Sequence, residues 1–526
     1  MGTMKTMGKT GWMLHAAAGI CAAAATFGVA QLASAFFNSA SSPFFALGSA
    51  IIDLTPPWLK DFAIGLFGTN DKLALFICIA LVALDLAAAI GVLARRSFAL
   101  ATCAILLLGA VMAYAVTTRS STSALDVAPT VFGAIAGIWV LQWLTRMAAG
   151  INAVADVETV GQEASEVATG PSRRTFLLSS AATLAGAVIA AGVSSSLSAG
   201  RNMAATARAA LRLPAAAQKA KVLPAGVQID DPNMPRFITP NDDFYRIDTA
   251  LSVPQIDPAQ WSLRVHGMVE NEFSMGFDEL MSQKLVETHL TLACVSNPVG
   301  GDLVGNAKWL GFPLRELLQR AAPLPGADMV LSSSHDGFTA STPLEALTDD
   351  RMALLAVGMN DEPLPFEHGF PVRMVVPGLY GYVSATKWVV DLEVTRFQDK
   401  TAYWSTRGWS ERGPIKMSSR IDTPRPLAKV SAGAVVLGGS AWAQTRGISR
   451  VQIQIDDGPW QDAELADEAS LDTWRQWRFA WPEATSGTHS ATVRTYDRAG
   501  KLQSSDEASP APNGASGWHK VQFTVQ

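Results

Sequence analysis

Thr291-Leu292-Ala293-Cys294-Val295-Ser296-Asn297-Pro298 reads as an apolar strand running into a turn. Gly300, Gly301 and Gly305 follow, and glycines there let the backbone approach a neighbour closely. Cys294 is the sole cysteine after Cys103, so no disulfide can form within the carboxy-terminal half. A lone thiol of this kind is a small buried hydrophobe, a nucleophile or a metal ligand. A nucleophile needs a base, and folding could bring His289, His335 or His368 close. No papain-like pattern surrounds the cysteine. A zinc site wants several Cys or His at close spacing, and none is present. A single soft thiolate suits a metal whose other ligands come with a cofactor.

Outward from this stretch, residues 226–424 alternate short strand-like runs with short helical patterns. Leu263–Val265, Met374–Val376 and Trp388–Val394 are the strand-like runs, and Pro313–Gln319 is helical in pattern. Frequent Gly and Pro between them predict an α+β domain and not regular βαβ winding. Residues 425–526 read as all-β. Val451, Ile453 and Ile455 alternate before the turn Asp456-Asp457-Gly458, and Ala491, Val493 and Thr495 alternate before Arg498-Ala499-Gly500. This spacing predicts an immunoglobulin-like sandwich, with Trp474, Trp477 and Trp481 as its core and edges. Residues 201–225 are Ala-rich with Pro214 and Pro224, and read as a linker.

The first 200 residues differ in kind. Apolar stretches run over about Trp12–Phe37, Leu73–Ala94, Phe98–Val116, Val127–Leu144 and Phe176–Leu197. Each is near the roughly 20 residues a helix needs to cross a bilayer, so residues 1–200 are expected to form an all-α transmembrane bundle. Lys5, Lys9, Arg95, Arg96, Arg146, Arg173 and Arg174 fall on one side if the amino terminus is cytoplasmic, with Arg119 the exception. Five crossings then place everything after residue 200 outside a bacterial plasma membrane. Asp85 sits inside the second stretch, either as a functional acid or as the buried partner of a polar group on a neighbouring helix. His15 is the sole histidine in the stretches, which argues against a bis-histidine haem in this chain. Ser172-Arg173-Arg174-Thr175-Phe176-Leu177 resembles a twin-arginine export signal in an internal position, although the arginines would serve equally as a cytoplasmic flank.

Length and charge agree with several units. At roughly 150 residues per domain, 526 residues allow three or four. Charged residues are 17%, against about 25% for an ordinary soluble chain. Lys+Arg is 41 and Asp+Glu 46, so no basic excess exists to bind nucleic acid.

Over about 226–526 the sequence resembles the sulfite-oxidase-type molybdopterin oxidoreductases. Thr291–Asn297 matches the block whose cysteine ligates molybdenum, which gives Cys294 that role. Asn360-Asp361-Glu362-Pro363-Leu364-Pro365 and His368-Gly369-Phe370-Pro371-Val372-Arg373 match the segment whose histidine and arginine grip the pterin and its phosphate, which implicates His368 and Arg373. Val376-Pro377-Gly378 and Gly381–Trp388 match the block closing over the phosphate, with Lys387 supplying charge and Ser384, Ala385 and Thr386 backbone donors. Asn241-Asp242-Asp243-Phe244-Tyr245-Arg246 matches the entry block, which implicates Asp242 and Tyr245 in holding the cofactor and places Arg246 at the substrate as a catalytic residue. Ser333 is a looser match. The residue types suit that chemistry, since Arg offers a planar fork and Lys a point charge to a dianionic phosphate.

The resemblance implies an α+β cofactor domain, a dimerising immunoglobulin-like domain, and oxygen-atom transfer with two-electron cycling of molybdenum. The substrate pocket departs from the pattern. Family members that oxidise sulfite carry an arginine shortly after the cysteine, where this chain has Pro298, Val299 and Gly300. A family tyrosine aligns with Phe338. With one cation and one hydroxyl gone, the expected substrate is a more neutral small molecule, an S-oxide or N-oxide, and not sulfite. No CxxCH and no iron–sulfur cysteine set occurs, so a separate redox partner, a cytochrome or a quinone-linked protein, is implied. The alternative is a non-catalytic binding or sensing module on the same fold. A cysteine hydrolase is more distant.

Overall fold

The computed structural model describes residues 9–37, 41–56, 71–117, 124–160, 172–200, 203–250 and 252–526, with Leu59, Phe62, Leu66 and Phe67 between them. Two compact units emerge: Met1–Asn202 with Ala250–Ser252, and Met203–Thr249 with Val253–Gln526. Lys5 and Arg119 of the charge argument lie outside the described residues.

In the first unit the apolar stretches form helices. Five of them, Gly11–Ser34, Leu73–Arg96, Phe98–Thr117, Leu125–Ile151 and Arg173–Ser194, are long and apolar enough to cross a membrane. A further helix, Pro43–Leu54, is too short to cross. The helix Lys9–Ser34 is central and packs on four others, Pro43–Leu54 among them. Small residues allow this, because a Cβ on Gly19 would lie 2.0 Å from Ala87 O and one on Gly91 2.1 Å from His15 O. Asp85 is exposed on one helical face with Cys78, Leu81 and Val82. Among the described residues it has no hydrogen bond or ion pair, so it is not the buried partner of a neighbouring helix. Ser172 caps the last long helix, its Oγ accepting from Thr175 N at 3.2 Å, so the paired arginines open that helix.

The second unit carries one mixed sheet, one antiparallel sheet and a sandwich. One sheet runs Phe273–Gly276, Ser262–Gly267, Val389–Thr395, Met329–Ser334, Thr339–Pro343, with the pair Ser262–Gly267/Val389–Thr395 parallel and the rest antiparallel. The other joins Val286–Ala293, Val304–Pro313, Leu354–Met359, Glu362–Pro363 and Arg373–Val375. The helix Leu314–Ala321 buries Leu314, Leu317, Leu318 and Ala321 at helical spacing. Phe244, Leu290, Leu292, Trp309, Phe370 and Val375 form the core beneath the second sheet.

The expected linker is not free. Met203–Ala210 is helical, Arg208 donates to Leu364 O at 2.7 Å and Pro363 O at 2.8 Å, and Ala217 N donates to Leu285 O at 2.7 Å. Alanine-rich composition hid this because the ties are made by backbone groups and one arginine. The carboxy-terminal part consists of two sheets sharing one core of Val435, Leu437, Trp477, Val451, Ile453, Val493 and Phe523. It begins before the expected boundary at 425, since Ser418–Thr423 pairs with Gly433–Trp442. Trp477 is buried in it and Trp481 is partly buried against its core, whereas Trp474 is buried against the cofactor domain, its Nε1 donating to Phe237 O at 3.0 Å.

Candidate functional site

The strand Val286–Ala293 ends in Cys294, whose amide donates to Leu303 O at 2.9 Å. Asn297 N donates to Cys294 O at 3.1 Å, and Asn297 Oδ1 accepts from Leu303 N at 2.9 Å, closing the turn. The sulfur is buried, 2.9 Å from Ser296 Oγ. Burial pushes the thiol pKa up, while Ser296, two backbone amides and the charge of Lys387 pull it back. Among the described residues no histidine bonds the sulfur, so no base is poised to activate it as a hydrolytic nucleophile. No group of three His, Cys, Asp or Glu side chains could hold a metal among those residues either. A metal on Cys294 would therefore bring its other ligands with it.

Around the cysteine the chain gathers cations. Asp248 Oδ2 lies 2.9 Å from both Arg246 Nε and Lys387 Nζ, and Lys387 also donates to Glu367 O at 2.9 Å. Arg373 donates to His368 O at 3.1 Å and packs 5.1 Å from the centroid of a Trp309 ring. Lys387 and Arg373 are only 9% and 4% exposed. Burial pulls Arg373 down to about 10, and burial outweighs Asp248 to bring Lys387 to about 8. Burying an ion costs several kcal/mol, and one carboxylate cannot offset that for two buried cations and a half-exposed third. This excess of buried positive charge beside one soft thiol fits a ligand with an anionic phosphate at one end and a soft metal at the other. A pyranopterin–molybdenum group has that chemistry.

His368 completes the cluster as a neutral ring. Its Nε2 donates to Asn241 O at 3.0 Å, and burial followed by the charge of Arg373 lowers it to about 4. Phe244 packs edge-on at 5.5 Å and stacks on Tyr245 at 5.3 Å. Tyr245 is raised by burial and then by the charge of Cys294, with Arg373 opposing, so it lies within electrostatic reach of both. A Cβ on Gly381 would sit 3.8 Å from Ala293 O and 3.9 Å from the Tyr245 hydroxyl, which brings the turn before Lys387 against the cysteine strand.

Cys294, Tyr245, Arg246, His368, Arg373 and Lys387 thus share one region. The remaining candidates have partners or surroundings of their own. Ser384 Oγ donates to Leu379 O and Tyr380 O, and Thr386 Oγ1 pairs with Ser332 Oγ at 2.7 Å, so these hydroxyls hold the turn itself. The Ala385 amide, expected among the free donors, donates to Gly381 O at 2.9 Å. Ser333 is half-buried on its strand opposite Asp391. Asp242 is exposed and lines a cleft of about 630 Å³ with Arg236, Asn241 and Asn360. Phe338 lies 5.8 Å from the Tyr403 ring. Sequence reasoning missed Asp248 and Ser296. The signal for Asp248 was a carboxylate two positions after Arg246, in a segment otherwise read for cations.

The neutral histidines set a pH dependence. His519 in the sandwich is also lowered to about 4, by burial and then by Arg420. Both folded values lie below the ordinary 6.5, so unfolding takes up protons and stability is lost as pH falls from 6.5 through 4. Denaturant unfolding of the cofactor-free chain at several pH values should show that loss. His368→Gln should remove up to roughly 3 kcal/mol of it, and an unaltered slope would contradict the buried neutral ring.

The chain matches the family model described as oxidoreductase molybdopterin binding domain over residues 250–404. That span holds Cys294, His368, Arg373 and Lys387. It is 28% identical over 345 residues to mouse "Sulfite oxidase, mitochondrial", covering 55% of this chain and 62% of that protein. It is 30% identical over 165 residues to "Uncharacterized oxidoreductase YuiH" of Bacillus subtilis, covering 31% of this chain and 80% of that protein. A crystal structure of the sulfane dehydrogenase SoxCD from Paracoccus pantotrophus superposes with TM-score 0.48 at 23% identity, covering 54% of this chain and 80% of that one. The chain spans 62% and 54% of the length of the mouse and Drosophila melanogaster sulfite oxidases it matches. By its matched domain, its cysteine and its relatives, the chain belongs to the sulfite-oxidase-type molybdopterin-dependent oxidoreductases.

Proposed function

We propose that this protein is a membrane-anchored, extracytoplasmic oxidoreductase that moves an oxygen atom to or from a small neutral S-oxide or N-oxide. The observation that carries the reading is one buried thiol beside Arg373 and Lys387, with no other metal-ligand cluster among the described residues. When bound, the molybdenum cofactor supplies the two-electron oxygen exchange. The chain's own residues bind and orient it. Arg373 and Lys387 would face its anionic end and Arg246 would line the substrate pocket as a catalytic residue, while Asp248 fixes Lys387 and Arg246. Neutral His368 presents Nδ1, because Nε2 is held by Asn241 O. Asp242 and Ser333, with the backbone of Ser384, Ala385 and Thr386, border it as further contacts.

In the reducing direction, the oxide takes two electrons and two protons and leaves as the deoxygenated product plus water. The opposite direction returns both electrons. They pass through a separate cytochrome or quinone-linked protein. Asp85, exposed on an apolar helix face and without an ion pair among the described residues, supports docking of that partner in the bilayer. Ser172–Leu177 serves as an internal twin-arginine signal for export, and the carboxy-terminal sandwich is immunoglobulin-like and dimerising.

Elemental analysis of the detergent-purified full chain, made in a host that synthesises the cofactor, should give about one molybdenum per chain. Turnover should be found with S-oxides or N-oxides. A folded, exported chain without molybdenum would favour a binding or sensing module, and sulfite turnover at ordinary enzyme rates would overturn the substrate assignment.

A further inference from the structure

The cysteine strand is held from outside its own domain. Gln444, in the loop after strand Gly433–Trp442 of the sandwich, is buried and uses both ends of its amide. Its nitrogen donates to Thr291 O, three residues before Cys294, and to Asp472 O at 3.1 Å. Its oxygen accepts from Gly378 N at 2.9 Å, in the segment that leads to the Gly381–Ser384 turn and Lys387. One side chain therefore spans the strand bearing the sulfur and the segment bearing the buried lysine.

Other sandwich residues hold the same loop. Thr291 N donates to Asp472 O at 3.0 Å, and Trp474 N donates to Thr291 Oγ1 at 2.8 Å. Beyond the cysteine, Arg420 donates to Gly301 O at 2.8 Å. Gly300 has φ +76°, and a Cβ there would lie 2.1 Å from the His519 ring, so glycine is required where the sandwich presses on the loop. The loop carrying Cys294 is fixed before and after the sulfur by a domain that contributes no residue to the cation cluster.

We infer that Gln444 is a positioning residue for the Cys294 sulfur, setting its distance from the Lys387 turn. This rests on the molybdopterin reading given above. The competing view is that Gln444 is only a satisfied buried amide. Groups that orient a ligand differ from packing residues in that their loss changes ligand geometry and reactivity even when the fold survives.

Gln444→Glu separates the two views. It keeps the shape and the acceptor for Gly378 N, but sets a carboxylate against the carbonyls of Thr291 and Asp472. In the loaded full chain, the sulfur-to-metal charge-transfer absorption should shift, and kcat should fall about tenfold with KM little changed. In the full chain made without cofactor, iodoacetamide alkylation of the Cys294 peptide, followed by mass spectrometry, should speed up about tenfold.

Unchanged absorption and unchanged alkylation in a folded variant overturn the assignment. If the unmodified chain holds no molybdenum, the cofactor reading fails and alkylation still judges Gln444. If the variant does not fold, hydrogen exchange of the unmodified chain decides. The Gly378 amide should exchange as slowly as the sandwich core, and fast exchange there refutes the tie.

Discussion

Cys294→Ser should abolish turnover, with a loss on the order of 10³-fold or more, while the chain still folds and is exported. Serine keeps the size and the contact to Ser296 Oγ, and the backbone bonds of Cys294 to Leu303 and Asn297 do not involve the side chain. The fold should therefore lose only about 1 kcal/mol. A hydroxyl is a hard, weakly acidic donor, and a soft metal held by one protein atom loses its tether with that exchange. The decisive comparison is thermal midpoint against turnover in one preparation. Full activity in the variant would refute the metal-ligand role. Equal loss of midpoint and activity would point to a structural thiol.

Arg373→Met should uncouple stability from cofactor retention. The arginine is buried, and its guanidinium donates to the carbonyls of His368, Ala385 and Met374. Leaving those carbonyls without a donor costs about 1–3 kcal/mol. Replacing a buried ion by an apolar side chain of similar size returns about 1–4 kcal/mol. The cofactor-free chain should thus change by no more than about 3 kcal/mol in either direction. Retention of molybdenum should fall roughly 10–100-fold, the worth of one charge-assisted contact of about 1.5–3 kcal/mol. Dialysis of the purified protein, followed by metal analysis, reads this directly. Undiminished retention would show that the buried charge serves the fold and not an anion.

Much of this protein was legible without coordinates. The five long apolar helices follow from length and composition, because a bilayer demands about 20 apolar residues whatever the neighbours. The strand at Val286–Ala293 and the helix at Leu314–Ala321 follow from local periodicity. Cys294, His368, Arg373 and Lys387 were singled out by the resemblance of their contiguous blocks to the molybdopterin family, and the fold brings them into one region. The sandwich core also followed in part, since Val451, Ile453, Ala491 and Val493 lie in alternating runs.

The rest depended on contacts between distant segments. Residues 203–225 looked like a linker because alanine and proline carry no pattern, yet the backbone at Ala217 and the side chain of Arg208 bind them to the sheet. Asp85 read as a buried partner or a functional acid until the helix face that bears it was known. Asp248 became part of the site only when folding brought Lys387, 139 positions away, to the same carboxylate oxygen as Arg246. Gln444 carries no local signal at all, since a glutamine after a strand is ordinary until both ends of its amide are seen bonded. The sequence by itself determined which residues could serve a metal and an anion, because that is a property of side-chain chemistry in short blocks. The tertiary structure alone decided their spacing, their burial and the direction of their pKa shifts, because these depend on what the remote chain places within a few ångströms.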